Sequence, residues 1–122
     1  MEKLKKELNI WSQCNNDHLI RLYEITNDPE DDEMYLTTEF AKYGRIAVLD
    51  HESCKVLRNK KLYYFILAHI ISYDPAVKEY QEFEQIEVVT HYLFDSVIKG
   101  LESLHNEGLV HRDLKVENIL AV

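Results

Sequence analysis

The chain has 122 residues, a formal net charge of −8 and an isoelectric point near 5.2. An acidic chain lacks the basic face that nucleic acids and anionic membrane surfaces attract, so we expect neither as a partner. Two cysteines are too few for a disulfide framework. The charged N-terminus lacks the apolar stretch of a signal peptide, and together these features predict an intracellular, cytoplasmic location.

The first predicted element is an amphipathic helix over residues 2–14. Leu4, Leu8 and Trp11 recur at the spacing of a single helical face. Asn15 begins a polar segment that favours the end of the helix. The helix is therefore expected to present one apolar stripe.

Two strands are predicted next, over residues 18–26 and 34–40, because both runs are rich in apolar and β-branched residues. The segment between them is acidic and contains Pro29 beside Asx residues, which favour turns. The two strands are therefore predicted to form an antiparallel hairpin. The acidic turn itself is interpreted as a solvated loop.

Residues 45–86 show no sustained periodicity and are the least interpretable part of the sequence. The short stretch from Ile46 to Leu49 favours the start of a helix. The apolar run from Leu62 to Ile71 has ten residues, whereas a membrane-spanning helix needs about 20. This run is therefore interpreted as buried or inserted structure.

The clearest helix is predicted over residues 86–106. Apolar residues recur along it at the spacing of one helical face. They are Val89, Leu93, Val97, Leu101 and Leu104. Asn106 and Gly108 then favour the end of the helix, because helix C-termini prefer such residues. Leu109 and Val110 lead directly into the segment that carries chemistry.

Residues 111–118, with the sequence HRDLKVEN, carry the strongest functional signal in the chain. They resemble the protein-kinase catalytic-loop signature H-R-D-L-x-x-x-N, whose aspartate is a catalytic base and whose asparagine binds magnesium. Asp113 would accept the proton of a substrate hydroxyl, and Asn118 would offer a side-chain oxygen to the metal. Phosphoryl transfer needs positioning and charge neutralisation rather than covalent help, which explains these residue types.

The chain resembles the eukaryotic-type Ser/Thr protein kinase domain. This resemblance implies a truncated α+β fold with the regulatory helix, a two-stranded hairpin, the hinge, the first C-lobe helices and the catalytic loop. Residues 1–44 would be a partial N-lobe with the hinge. Residues 45–122 would be a partial C-lobe, with an insert near residues 55–83, ending just after the catalytic loop. Residues 44–50 weakly resemble kinases of the calcium/calmodulin-dependent kinase-kinase type.

The resemblance also implies a nucleotide site for ATP. Thr38 takes the gatekeeper position, and the backbones of Glu39 and Ala41 hydrogen-bond adenine. Leu120 lies under the adenine ring. Glu7 is the glutamate that pairs with the ATP-anchoring lysine.

Further roles follow from the same resemblance, with ATP and Mg as cofactors and a protein as the substrate. Lys115 offsets the charge of the migrating phosphoryl group and accompanies Ser/Thr specificity. Arg112 binds a phosphate on the activation loop as a bidentate partner. Trp11 and His111 belong to the hydrophobic spine that links the two lobes.

Several parts of the resembled domain are missing from these 122 residues. They contain no Gly-rich loop, no strand with an ATP-binding lysine and no D-F-G segment with its magnesium-binding aspartate. We therefore expect this chain alone to bind ATP poorly and to transfer no phosphate.

Two other interpretations stay open. The chain could be a pseudokinase remnant that serves as a non-catalytic interaction module, although its intact catalytic-loop motif favours an active ancestor. Cys14, His18, His51 and Cys54 could supply four zinc ligands, but their spacing fits no established zinc pattern. Scattered histidines are more often ordinary surface or core residues.

Overall fold

A computed structural model describes all 122 residues, which form two compact units. The first unit comprises Met1–Ala41 and Ile98–Arg112, and the second comprises Lys42–Val97 and Asp113–Val122. Three α-helices accompany small antiparallel sheets, which confirms the α+β class. None of the helices combines the length and the apolar character that crossing a membrane would require.

The first unit begins with helix α1, Glu2–Gln13, as predicted. Leu8 is buried, and the indole Nε1 of Trp11 donates a hydrogen bond to the carbonyl of Ile20 over 2.9 Å. Leu4, by contrast, is 48% exposed. Only the C-terminal part of the predicted apolar stripe is therefore packed.

An antiparallel hairpin follows, formed by strands β1, Leu22–Asn27, and β2, Met34–Thr38. The pairing confirms the predicted hairpin, but β1 begins later than the predicted residue 18. A turn takes that place, because the backbone N–H of His18 donates to the side chain of Asn16 over 2.8 Å. Asx side chains favour such turns by bonding the backbone two residues on.

The second unit corrects the interpretation of Ile46 to Leu49 as the start of a helix. Strand β3, Gly44–Arg45, is followed by β4, Ala47–Asp50, and β5, Lys55–Arg58. Strands β4 and β5 pair in antiparallel register. The short apolar run is ambiguous by itself, because periodicity cannot separate a short strand from a helix segment. Pairing with β5 decides its conformation.

Helix α2, Lys60–Tyr73, contains the apolar run of the poorly interpretable region. A 3-10 turn, Pro75–Glu79, follows it. The buried core of the unit is formed by Leu62, Tyr63, Ile66, Leu67, Val77 and Val89. One face of the run is thus buried, while Tyr64 and Phe65 on its other face are exposed. Val89 comes from the stripe predicted on the long helix.

The long helix α3 spans Glu82–Asn106 and ends where the sequence predicts. It begins earlier than the predicted residue 86, because Glu84 satisfies the backbone at its start. The Oε2 atom of Glu84 accepts a hydrogen bond from the N–H of Gln81 over 2.9 Å. This is one half of a capping box, which stabilises helix N-termini.

Asn59 connects the start of α2 with the segment before β4. Its Oδ1 accepts from the N–H of Leu62 over 3.1 Å and so caps the helix. Its Nδ2 donates to the carbonyls of Tyr43 and Arg45, over 3.2 and 3.1 Å. Because one side chain holds three backbone groups, Asn59 fixes the position of this helix relative to strand β3.

We expect Asn59→Ala to lower the free energy of unfolding of the chain by about 2–3 kcal/mol, from the lost cap and the two lost donations. Urea denaturation followed by circular dichroism measures the change. Asn59→Asp is the matched control, since it keeps the capping acceptor but cannot donate. It should be about 1 kcal/mol more stable than Asn59→Ala. An alanine variant as stable as the original chain would contradict this role.

The two cysteines differ in accessibility. Cys14 is 9% exposed and its Sγ donates to the carbonyl of Ile10, whereas Cys54 is exposed. Burial, and then the charge of Glu107, raises the pKa of the Cys14 thiol above its usual range. The thiolate is the reactive form of cysteine. Both the burial of Cys14 and its raised pKa therefore lower its reactivity.

We expect a disulfide reagent such as Ellman's reagent to modify Cys54 at least about tenfold faster than Cys14 in the folded chain. The absorbance of the released thiolate would then rise in two phases of equal amplitude. Cys54→Ser should remove the fast phase alone. A single fast phase with both thiols would contradict the burial of Cys14.

Candidate functional site

The predicted catalytic loop follows α3 through a strained backbone. The N–H of Leu109 bonds back to the carbonyl of Leu104 over 2.9 Å and closes the helix. Arg112 then adopts a φ of 68°, a left-handed conformation that is uncommon for a residue other than glycine. Such strain is retained mainly where a particular geometry is needed. It lies here within the HRDLKVEN motif.

Within the second unit, the three predicted catalytic residues lie together. The Nδ2 of Asn118 donates to the main-chain carbonyl of Asp113 over 2.7 Å and to its carboxylate Oδ2 over 3.2 Å. The Nζ of Lys115 lies 3.5 Å from the same Oδ2. A 3-10 turn, Val116–Asn118, brings Asn118 back towards Asp113. The spacing of the motif thus corresponds to contact in three dimensions.

The cluster is open to solvent. The side chains of Lys115 and Asp113 are 52% and 70% exposed. Exposed ion pairs contribute little free energy, because water screens them and their long side chains lose entropy. Lys115 is therefore able to leave Asp113 for another anion, and the carboxylate is accessible from solvent.

The donor set of Asn118 fits a hard cation. Both of its contacts with Asp113 use the amide nitrogen, which leaves the amide oxygen directed elsewhere. Magnesium prefers oxygen ligands and is bound in proteins by only one or two side chains together with substrate phosphates. The residues present thus fit a partial magnesium site. No group of three or more His, Cys, Asp or Glu side chains is arranged to hold a metal ion.

In the first unit, Glu7 and Arg112 form an ion pair, with Oε1 and Nη2 3.4 Å apart. The resemblance implies other partners for both, namely an ATP-anchoring lysine and an activation-loop phosphate. Trp11 is half-buried and bonded to Ile20. His111 is exposed. The structure therefore pairs Glu7, which was predicted to serve the nucleotide site, with Arg112, which was predicted to be regulatory. The sequence did not suggest this combination.

The predicted hinge begins at the end of β2. The N–H of Glu39 donates to the carbonyl of Arg21 over 2.8 Å, and its carboxylate accepts from the Arg21 N–H over 3.2 Å. The Oγ1 of Thr38 donates to the carbonyl of Glu39 over 3.3 Å. Ala41 lies half-buried at the end of this segment. The first hinge residues are thus held by the preceding hairpin.

Leu120 lies in the second unit, in strand β6, Leu120–Ala121. This strand pairs antiparallel with β3, and Leu120 stands opposite Arg45. Its side chain is 40% exposed. Leu120 and the catalytic-loop residues from Asp113 onwards thus belong to one unit, and Thr38, Glu39 and Ala41 belong to the other.

Two residues that the sequence analysis did not single out hold this region together. Asn59 could have been found, because an Asn before an apolar run is a helix-start signal. Glu117 could not, because its partner is far away in the chain. Its Oε1 accepts from the N–H of Leu49 over 3.3 Å. Its own N–H, and then Leu49 and nearby Lys115, hold the pKa of the Glu117 carboxyl below its usual range.

Comparison with known proteins gives a consistent result. The family model of the protein kinase domain matches residues 1–122. The serine/threonine-protein kinase TOS3 of Saccharomyces cerevisiae is 27% identical over 118 residues. SNF1-activating kinase 1 of the same yeast is 27% identical over 119 residues, and the serine/threonine-protein kinase ssp1 of Schizosaccharomyces pombe is 28% identical over 119.

These matches cover nearly all of this chain but little of the relatives. The alignments span 97% of the chain against TOS3 and 98% against each of the other two. They span 17%, 9% and 14% of the relatives themselves, in the same order. The chain therefore spans less than a fifth of the length of these curated relatives. No solved structure matches it.

Proposed function

Because the chain belongs to the protein kinase domain family, we propose that its catalytic loop serves ATP-dependent phosphoryl transfer to Ser or Thr side chains of protein substrates. The observation that carries this proposal is the cluster of Asp113, Lys115 and Asn118, in which one carboxylate oxygen receives both other side chains. The relatives named as serine/threonine kinases support the acceptor class.

Each residue has a separate task in this proposal. Asp113 accepts the proton of the attacking hydroxyl, and its exposure allows a substrate side chain to reach it. Asn118 holds the carboxylate of Asp113 in a fixed orientation through Nδ2. Lys115 moves from Asp113 to the transferred phosphoryl group and offsets its charge.

Magnesium would be held by the amide oxygen of Asn118 together with oxygen atoms of ATP. When bound, it neutralises charge on the phosphate oxygens. For Thr38, Glu39, Ala41 and Leu120 we propose the separate roles towards adenine that the resemblance implies, and for Glu7 the role of pairing with the anchoring lysine. Arg112 is proposed to bind a regulatory phosphate, and Trp11 and His111 to belong to the hydrophobic spine.

The domain assignment and the location of the protein are part of the same proposal. Residues 1–44 would be a partial N-lobe with the hinge, and residues 45–122 a partial C-lobe. A protein that uses ATP and has free thiols suits the cytoplasm. The likeness to kinases of the calcium/calmodulin-dependent kinase-kinase type stays a prediction, since none of the relatives described above carries that name.

These 122 residues do not contain the Gly-rich loop, the ATP-binding lysine or the D-F-G aspartate that phosphoryl transfer by this family also uses. We propose that the chain alone is therefore inactive. A second candidate function is a non-catalytic interaction module. The ion pair between Glu7 and Arg112 favours it, because that pair occupies two residues that an active kinase would use elsewhere.

A phosphotransfer assay tests these proposals. The purified chain is incubated with radiolabelled ATP, Mg and an array of Ser and Thr peptides, beside its Asp113→Asn variant as the blank. We expect equal, background incorporation from both. Incorporation that Asp113→Asn abolishes would contradict inactivity while supporting the kinase assignment.

Sequencing the transcript around the coding region separates the two candidate functions. A reading frame that continues into a Gly-rich loop and a D-F-G segment supports the kinase, and the assay is then repeated on that product. A frame without either segment supports the interaction module. A product with both segments that transfers no phosphate to any peptide would overturn the kinase proposal.

A further inference from the structure

The end of the catalytic loop is held by a short backbone ladder. The N–H of Tyr43 donates to the carbonyl of Ala121, and the N–H of Ile46 donates to the carbonyl of Ile119, each over 3.1 Å. Before Ile119 the loop is coiled into its 3-10 turn, whose backbone bonds close on themselves. The N–H of Asn118, for example, bonds to the carbonyl of Lys115 over 3.0 Å. The backbone ladder therefore cannot continue towards β4.

The side chain of Glu117 continues this ladder in place of the backbone. Its Oε1 accepts from the N–H of Leu49, in the middle of β4, over 3.3 Å. Strand β4 pairs with β5 along its other edge. The N–H groups of a strand point alternately to its two sides, so the group of Leu49 lies on the edge that β5 does not cover. Glu117 satisfies a donor that no neighbouring strand reaches.

We propose that Glu117 is a positioning residue, which ties the catalytic loop to strand β4 and so keeps Asn118 against Asp113. Glu117 immediately precedes Asn118 in the same 3-10 turn. Rotation of this turn would move the Asn118 amide away from the two Asp113 oxygens that it contacts over 2.7 and 3.2 Å. The carboxylate of Glu117 prevents that rotation from outside the catalytic cluster.

The charges around Glu117 suit this task. The positive charges of Lys115 and Arg45 lie near its carboxylate and stabilise the ionised form of Glu117. Lys115 forms its closest ion pair with Asp113, at 3.5 Å. Two main-chain donors therefore give the Glu117 carboxylate its direction, its own N–H within the turn and the N–H of Leu49 outside it. A charge alone would not set this direction, because exposed ion pairs lack a fixed geometry.

Amide hydrogen exchange and side-chain resonances of the whole 122-residue chain test the proposal by NMR. In Glu117→Ala we expect the Leu49 amide to exchange about three to ten times faster, since one hydrogen bond is lost. The side-chain NH2 resonances of Asn118 should shift at the same time. Glu117→Gln keeps an oxygen acceptor of the same length and should restore both signals. Glu87→Ala, at an exposed position of α3, is the control.

Each result decides the matter. Unchanged exchange at Leu49 in Glu117→Ala would overturn the contact. Faster exchange at Leu49 with unmoved Asn118 resonances would overturn the positioning role and leave only a capped strand edge. If Glu117→Ala unfolds, Glu117→Asp replaces it, because a side chain shorter by one methylene keeps the charge but should not reach Leu49. The inference rests on the proposed function only in giving Asn118 a catalytic role. The exchange rates and resonances can be measured in a chain that transfers no phosphate.

Discussion

Asp113→Asn is expected to lower the phosphotransfer rate about 10²–10⁴-fold in any product of this reading frame that transfers phosphate. The amide cannot accept the proton of the substrate hydroxyl. It also carries no charge to attract Lys115, whose Nζ lies 3.5 Å from the Asp113 carboxylate. Initial rates with radiolabelled ATP and a peptide substrate measure the effect, and KM for ATP should change little because Asp113 does not bind the nucleotide.

The matched control is Asp32→Asn in the acidic turn of the hairpin, which makes the same chemical change at an exposed residue outside the motif. It should retain the full rate. A rate within about fivefold of the original in Asp113→Asn would show that another group takes the proton, because general-base catalysis is worth at least about 10²-fold. Circular dichroism spectra of both variants exclude misfolding as the cause of a lost rate.

Gly100→Ala is expected to destabilise the first unit by about 2 kcal/mol, although alanine is normally the better helix former by about 1 kcal/mol. Gly100 is buried in α3, and a Cβ atom there would lie 2.7 Å from the carbonyl oxygen of His18. A backbone atom cannot turn aside as a flexible side chain would. The helix would have to move away from the turn that contains His18. The hydrogen bond from the His18 N–H to the Asn16 side chain holds that turn in its conformation.

Thermal and urea unfolding of the chain measure this difference. Glu102→Ala lies on the same helix at an exposed position and should change stability by less than about 0.5 kcal/mol. A Gly100→Ala chain that is more stable than the original would contradict the close contact.

The sequence alone determined those elements whose signals are local. The stripe from Val89 to Leu104 predicts α3, and its end at Asn106 is correct. The hairpin follows from two apolar runs around a turn segment. The HRDLKVEN motif identified the family, because its fixed residues have chemical roles that few other patterns satisfy. In each case a short stretch of chain contains both the pattern and its explanation.

Only the tertiary structure decided the features that join distant residues. Ile46 to Leu49 fits a helix and a strand equally well until Lys55–Arg58 pairs with it. The ion pair of Glu7 with Arg112 cannot be predicted from the spacing of residues in the sequence, and neither can the hydrogen bond from Leu49 to Glu117. The partner of a side chain depends on which groups lie nearby and which backbone donors and acceptors still lack a hydrogen bond. The folded backbone determines both. The motif thus names the chemistry of Asp113 and Asn118, while their orientation depends on contacts made elsewhere in the chain.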